Sequence, residues 1–177
     1  KTIINLVRPF LASNFQLYSD ISGYEAPHGG TIPPHILTTS LKPDLFIVNE
    51  SEAKAIVFEL TVPWDTNIQR SHDYKESKYA PLVADLSRSL TVYHFSVEIS
   101  VRGQISKANR CRIKSFVYKC CAEPGKLSKR VTQNAAKAAL LSSFSIFCAR
   151  KEPSWLDPAP IAIYRLQSLI FNNHFNS

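Results

Sequence analysis

Residues 42–62 read KPDLFIVNESEAKAIVFELTV, and how this stretch pairs with itself decides the fold. Two apolar, β-prone runs, 44–48 and 55–62, flank a polar segment at 49–54, which is a hairpin pattern. With the turn centred on Ser51 and Glu52, directly opposed residues have numbers that sum to 103, and Asp44 and Glu59 are such a pair. Opposed side chains have β-carbons about 4.5–5.5 Å apart. Two carboxylates at that distance repel, so stability alone gives no reason to place them there. A divalent cation between them reverses the sign, and hard oxygen donors suit Mg²⁺. A register shift of one breaks the pairing, and acids at strand positions also fit an edge or a solvated surface.

The next segment has helical spacing over 66–90. Ile68, His72, Lys75, Tyr79, Leu82 and Leu86 recur at intervals of 4, 3, 4, 3 and 4. At 100° per residue they form one stripe about 80° wide. Lys75 lies inside that stripe and Lys78 at its flank, while Asp73 points away. A lysine aimed at a sheet is costly unless it meets an anion, and Asp44/Glu59 would supply one. The competing reading is a snorkelling lysine with its amine in water. Pro81 is expected to kink the helix, and His72 reads as a lining residue or a structural one.

Further out, residues 91–101 alternate, with Tyr93, Phe95, Val97, Ile99 and Val101 on one face and His94, Ser96, Glu98 and Ser100 on the other. This predicts a strand with one buried face. Helical patterns follow at about 106–121, 126–150 and 160–171. Upstream, residues 2–12 have helical spacing that Pro9 should kink or end, and 20–43, rich in Gly, Pro and Thr, reads as an ordered loop. The expectation is an α/β protein, with a core over 1–102 and a basic helical extension over 103–177 packed on it as one domain.

With 177 residues, 45% of them hydrophobic and 20% charged, the chain can bury a core without disulfide or metal staples. No apolar run reaches the ~18 residues of a membrane span, so no membrane partner is expected. The longest candidate, 135–149, contains Lys137. No signal pattern is present, and Cys111, Cys120, Cys121 and Cys148 lack metal-ligand spacing. Free thiols in a nuclear or cytoplasmic setting are therefore expected. The chain starts with Lys1 and has no Met, as expected for a piece of a longer polypeptide.

The net charge of +7 is unevenly spread. Residues 1–101 hold 8 Lys and Arg against 11 Asp and Glu, whereas residues 102–150 hold 11 basic residues against Glu123 alone. Such a block is a footprint for a polyanion or a solvated helical face. No P-loop, GxSxG or HExxH motif occurs. No helix-turn-helix, zinc finger or RNA-recognition motif occurs either.

The strings Lys42-Pro43-Asp44, Glu59-Leu60-Thr61-Val62-Pro63 and Lys75-x-x-Lys78-Tyr79 resemble the PD-(D/E)XK nuclease superfamily. More closely, they resemble the restriction-like endonuclease domain of site-specific non-LTR retrotransposon polyproteins. The segment Gly29-Gly30-Thr31-Ile32-Pro33-Pro34 is similar to the upstream part of such reading frames. The resemblance covers about residues 17–102.

It implies a restriction-endonuclease-like core, a mixed sheet flanked by helices, that hydrolyses DNA phosphodiesters with Mg²⁺, with Mn²⁺ as a substitute. Asp44, Glu59 and the Leu60 carbonyl would be metal ligands. Lys75 or Lys78 would be the catalytic lysine, since Thr61 stands where many members have one. Thr61, Tyr79 and His72 would support the site; Glu25 and His28 lie in the upstream loop within reach of it, though nothing requires them there. Lys42, Arg102, Lys107, Arg110, Arg112 and Lys114 would contact DNA phosphates.

The implied partners are target DNA, the reverse transcriptase and DNA-binding regions upstream in the same polyprotein, and a second copy of the chain, since many members pair to cut both strands. Two other readings stand beside a nicking endonuclease. One is an inactive nuclease-fold DNA-binding module, and the other is a junction-resolvase-like nuclease for branched DNA.

Overall fold

The computed structural model describes residues 1–21 and 24–149. Residues Lys1–Leu140 make one compact unit and Leu141–Ser177 a second, whose described part, 141–149, is helical. The expected helix at 160–171 lies outside the described residues.

Chain order is α1 (Thr2–Val7), β1 (Gln16–Tyr18), β2 (Leu45–Asn49), β3 (Lys54–Thr61), α2 (Ile68–Leu86), β4 (Thr91–Glu98), α3 (Lys107–Cys120) and α4 (Pro124–Ala149). A single turn of 3-10 helix, Arg8–Phe10, follows α1, so Pro9 ends that helix early. The strands form one mixed sheet in the order β1-β2-β3-β4. The β1/β2 and β2/β3 pairs are antiparallel, and β3/β4 is parallel with α2 as the crossover.

The hairpin register is the one expected. Leu45 opposes Phe58 and Asn49 opposes Lys54, so paired numbers sum to 103. Asn49, buried at the strand end, fixes the turn, its Oδ1 accepting from the Ser51 hydroxyl at 2.7 Å and from the Glu52 amide at 3.2 Å. Such side-chain acceptance is how Asn specifies a turn.

Both faces of the sheet are covered. On one, Leu45, Ile47, Ile56, Phe58, Val97 and Ile99 pack with residues of α1, α3 and α4, including Ile4, Ile113, Phe116 and Val131. On the other, Phe46, Val48, Ala55 and Val57 pack with Tyr79, Leu82 and Leu86 of α2. The apolar stripe of α2 therefore faces the sheet, and the helix runs through Pro81 to Leu86. The sheet, α3 and the first half of α4 belong to the same compact unit.

One expectation for β4 is overturned. Its polar face is not solvated: Ser96, Glu98 and Ser100 are all buried. A parallel crossover places a helix over that face, so α2 covers it, and Ser96, Glu98 and Ser100 find partners within the protein. The Ser96 hydroxyl donates to Glu98 at 3.1 Å, and Ser100 Oγ accepts from the Arg102 and Gln104 amides.

Candidate active site

Alternation along the strands puts Asp44, Glu59 and Thr61 on the face covered by α2, in phase with Phe46, Val48, Ala55 and Val57. Asp44 immediately precedes β2 and stands opposite Glu59 in the continued register. The two residues are cross-linked through the backbone: the Asp44 amide donates to Glu59 Oε1 at 2.9 Å, and the Leu60 amide donates to Asp44 Oδ2 at 2.8 Å. Ser19 adds a bond from its hydroxyl to the Asp44 carbonyl at 2.7 Å.

Glu59 is wholly buried, and its other oxygen accepts from the Lys75 amine, an ion pair in which the lysine side chain is 15% exposed. Burial, joined by the charge of Asp44, holds the Glu59 carboxyl above its ordinary pKa, and Lys75 works against that shift. The inward-facing reading of Lys75 is thus the observed one. Lys78 is exposed and lies over the Tyr79 ring at 4.9 Å. Tyr79 is buried, and its hydroxyl donates to the Lys42 carbonyl at 2.9 Å. Burial, with the negative charge of Glu59 nearby, pushes the phenol upward, so it stays a donor.

The Leu60 side chain packs toward the α3 side of the sheet. The Thr61 carbonyl accepts from the Ile99 amide, one residue past the end of β4, at 3.0 Å. Alternate residues of a strand bond to the neighbour on a given side, so the Leu60 carbonyl points away from β4, with its amide, toward Asp44. The Thr61 hydroxyl is buried and has no hydrogen-bond partner among the described residues.

Beside this pair lies a second buried carboxylate that the strand pattern did not single out. Glu98 opposes Thr61 in the β3/β4 register. It meets His72 Nδ1 at 3.1 Å, the Ser96 hydroxyl at 3.1 Å and the Arg112 guanidinium at 3.8 Å. The Arg112 guanidinium also approaches His72 Nε2 at 3.3 Å and donates to Asn109 Oδ1 at 2.7 Å. His72 is therefore held by Glu98, and no contact joins it to Asp44 or Glu59.

The remaining residues separate into engaged and open groups. Lys42 pairs with Asp20 at 2.9 Å, Arg102 with Asp65 at 2.5 Å, and Arg112 with Glu98. Lys107, Arg110 and Lys114 are exposed on α3. His28 Nδ1 accepts from the Leu17 amide at 3.0 Å and so supports β1, while Asp73 accepts from Gln69 on the exposed side of α2.

A cation fits the donor set in a limited way. Among the described residues, no group of three or more His, Cys, Asp and Glu side chains is gathered to hold a metal. Mg²⁺ needs no such cage, since it takes one or two carboxylates and completes its shell with water and substrate phosphate. The Asp44 carboxylate beside the Lys75-paired Glu59, and the unpartnered Thr61 hydroxyl on the same face, suit such a hydrated ion. No protein-family model matches the chain, and no curated protein matches it. No helix among the described residues is long and apolar enough to cross a membrane.

Proposed function

We propose that the chain is a divalent-metal-dependent DNA endonuclease with a restriction-endonuclease-like core, nicking target DNA for a retroelement. The observation that carries this reading is the trio Asp44, Glu59 and Lys75: two opposed carboxylates, one fully buried and neutralised by a helix-borne lysine. The mixed sheet with helices on both faces supports the same reading.

In this account Asp44, Glu59 and the Leu60 carbonyl would hold Mg²⁺. The ion would supply Lewis-acid stabilisation of charge on the phosphate and lower the pKa of a nearby water. The chain's own residues provide the rest. The Asp44 and Leu60 amides fix both carboxylates, so the site is ordered before substrate arrives. Lys75 holds positive charge beside Glu59, where it orients the attacking water or offsets phosphate charge. It does so from α2, which is how a site with Thr61 at the usual lysine position retains an amine. The Thr61 hydroxyl offers a hydrogen-bonding group to water on the same face. Tyr79 anchors the Lys42 carbonyl and so the approach to Asp44.

The test is nicking of supercoiled plasmid in Mg²⁺ or Mn²⁺. Activity that needs the metal and disappears in Glu59→Ala and Asp44→Asn is the expected result. Salt-sensitive DNA binding without cleavage under any metal would favour the inactive module instead.

A further inference from the structure

We infer that the α3–α4 hairpin carries a groove for single-stranded nucleic acid, in the layer across the sheet from α2 and Lys75. The groove has a volume of about 800 Å³ and is lined by Arg110 and Lys114 of α3, Lys129, Thr132 and Gln133 of α4, and Gln104 from the loop after β4. It contains three cations and no carboxylate. Glu123, the only acid within 102–150, is not among its lining residues.

The cations of this basic block do not behave alike. Arg102 and Arg112 are held by Asp65 and Glu98, whereas Lys114 and Lys129 form no ion pair among the described residues and Arg110 donates only to the Ile105 carbonyl, at 3.1 Å. Three exposed cations without an ion pair among the described residues, Arg110, Lys114 and Lys129, thus meet at one groove.

Its size and its aromatic neighbour select the ligand. Cavities of about 300–1,000 Å³ accept ligands of drug size, so this one is of a size for about one or two nucleotides. Arg110, Lys114 and Tyr118 follow at four-residue spacing along one ridge of α3, each about 6 Å further along the helix. Tyr118 is 52% exposed, with the Lys114 amine 5.5 Å from its ring centre. A cationic track beside an exposed aromatic face is the combination that holds unpaired strands, with phosphates in the groove and a base stacked on the ring. Gly103 closes one end, since its positive φ lets the loop approach the Ala136 carbonyl.

This inference rests on the nucleic-acid part of the proposed function and not on its catalysis. The experiment is fluorescence anisotropy in EDTA with labelled oligothymidylate, oligouridylate and duplex DNA of about 12 nucleotides or base pairs. The wild type should bind either single strand about fivefold or more tighter than duplex. Lys114→Gln/Lys129→Gln should weaken single-strand binding about tenfold or more and flatten the salt slope by about 1.4, two phosphate contacts' worth. Tyr118→Ala should weaken it about fivefold or more. Lys126→Gln/Lys137→Gln, which removes the same charge from exposed positions outside the groove lining, should leave it unchanged.

Duplex bound as tightly as single strands, or a groove variant no weaker than the charge-matched control, would overturn the inference. Plasmid nicking that persists alongside groove-insensitive binding would sink this inference alone. Groove-dependent binding with no nicking would sink the catalytic reading alone.

Discussion

The Lys75 amine and the Glu59 carboxylate meet across α2 and β3, with the carboxylate shut off from solvent. A lone buried carboxylate is costly, and so is a lone buried amine. Each offsets the other, yet Asp44 beside them leaves the cluster with surplus negative charge. Burial, joined by the charge of Asp44, keeps Glu59 a stronger base than an ordinary glutamate despite its lysine. That imbalance yields measurable consequences.

The first concerns pH. Because the folded pKa of Glu59 is raised, folding favours its protonated form. Its contribution to stability is fully present below the unfolded pKa of about 4.3 and is lost as pH rises through the higher folded value. The wild type should therefore lose ground to Glu59→Gln as pH rises through that window. Melting temperatures of both proteins from acid to neutral pH, without divalent metal, check this. A gap that stays constant would contradict it.

The second concerns metal. A cation held by the pair stabilises the native state by about 2.7 kcal/mol at one hundred times its dissociation constant. Mg²⁺ should raise the melting temperature of the wild type and fail to do so in Asp44→Asn. Equal shifts in the two proteins would place the ion elsewhere.

Glu98 gives a stability prediction. Glu98→Ala leaves His72, Arg112 and the Ser96 hydroxyl without their shared acceptor. The cost should be about 2–3 kcal/mol, as for a buried hydrogen-bonding group deprived of a charged partner. Urea unfolding measures it, and a loss within about 0.5 kcal/mol, the level of ordinary surface substitutions, would show that the network contributes little.

Gly103 gives another. Its φ of 75° disfavours any side chain, and an added β-carbon would stand 2.7 Å from the Ala136 carbonyl oxygen, which is backbone and cannot swing aside. Gly103→Ala should destabilise by about 1–3 kcal/mol, read from the same urea experiment.

Much of this site was legible in the sequence because short-range rules govern it. The hairpin length set the register, the register set Asp44 against Glu59, and 3.6-residue periodicity turned Lys75 inward. What escaped depends on packing across elements. Three-residue β1 is too short to display a period, although Leu17 and Tyr18 contribute to opposite faces of the sheet. Alternation in β4 separated apolar from polar residues correctly. Alternation alone cannot reveal that a crossover helix buries the polar set, so Glu98 read as solvated. Likewise, the basic block over 102–150 was visible as charge, whereas the capture of Arg102 by Asp65 and of Arg112 by Glu98 depends on tertiary partners.

The lysine assignment bears most directly on the central claim. Lys75 touches Glu59, while Lys78, three residues on, lies exposed over Tyr79. The decisive measurement is the Mg²⁺-dependent nicking rate of supercoiled plasmid for the wild type, Lys75→Ala and Lys78→Ala side by side. The account predicts a fall of about 10²–10⁴-fold for Lys75→Ala, the usual size of a positioned proton-handling group, and a rate within about threefold of wild type for Lys78→Ala. Nicking that survives Lys75→Ala but is lost in Lys78→Ala would contradict it.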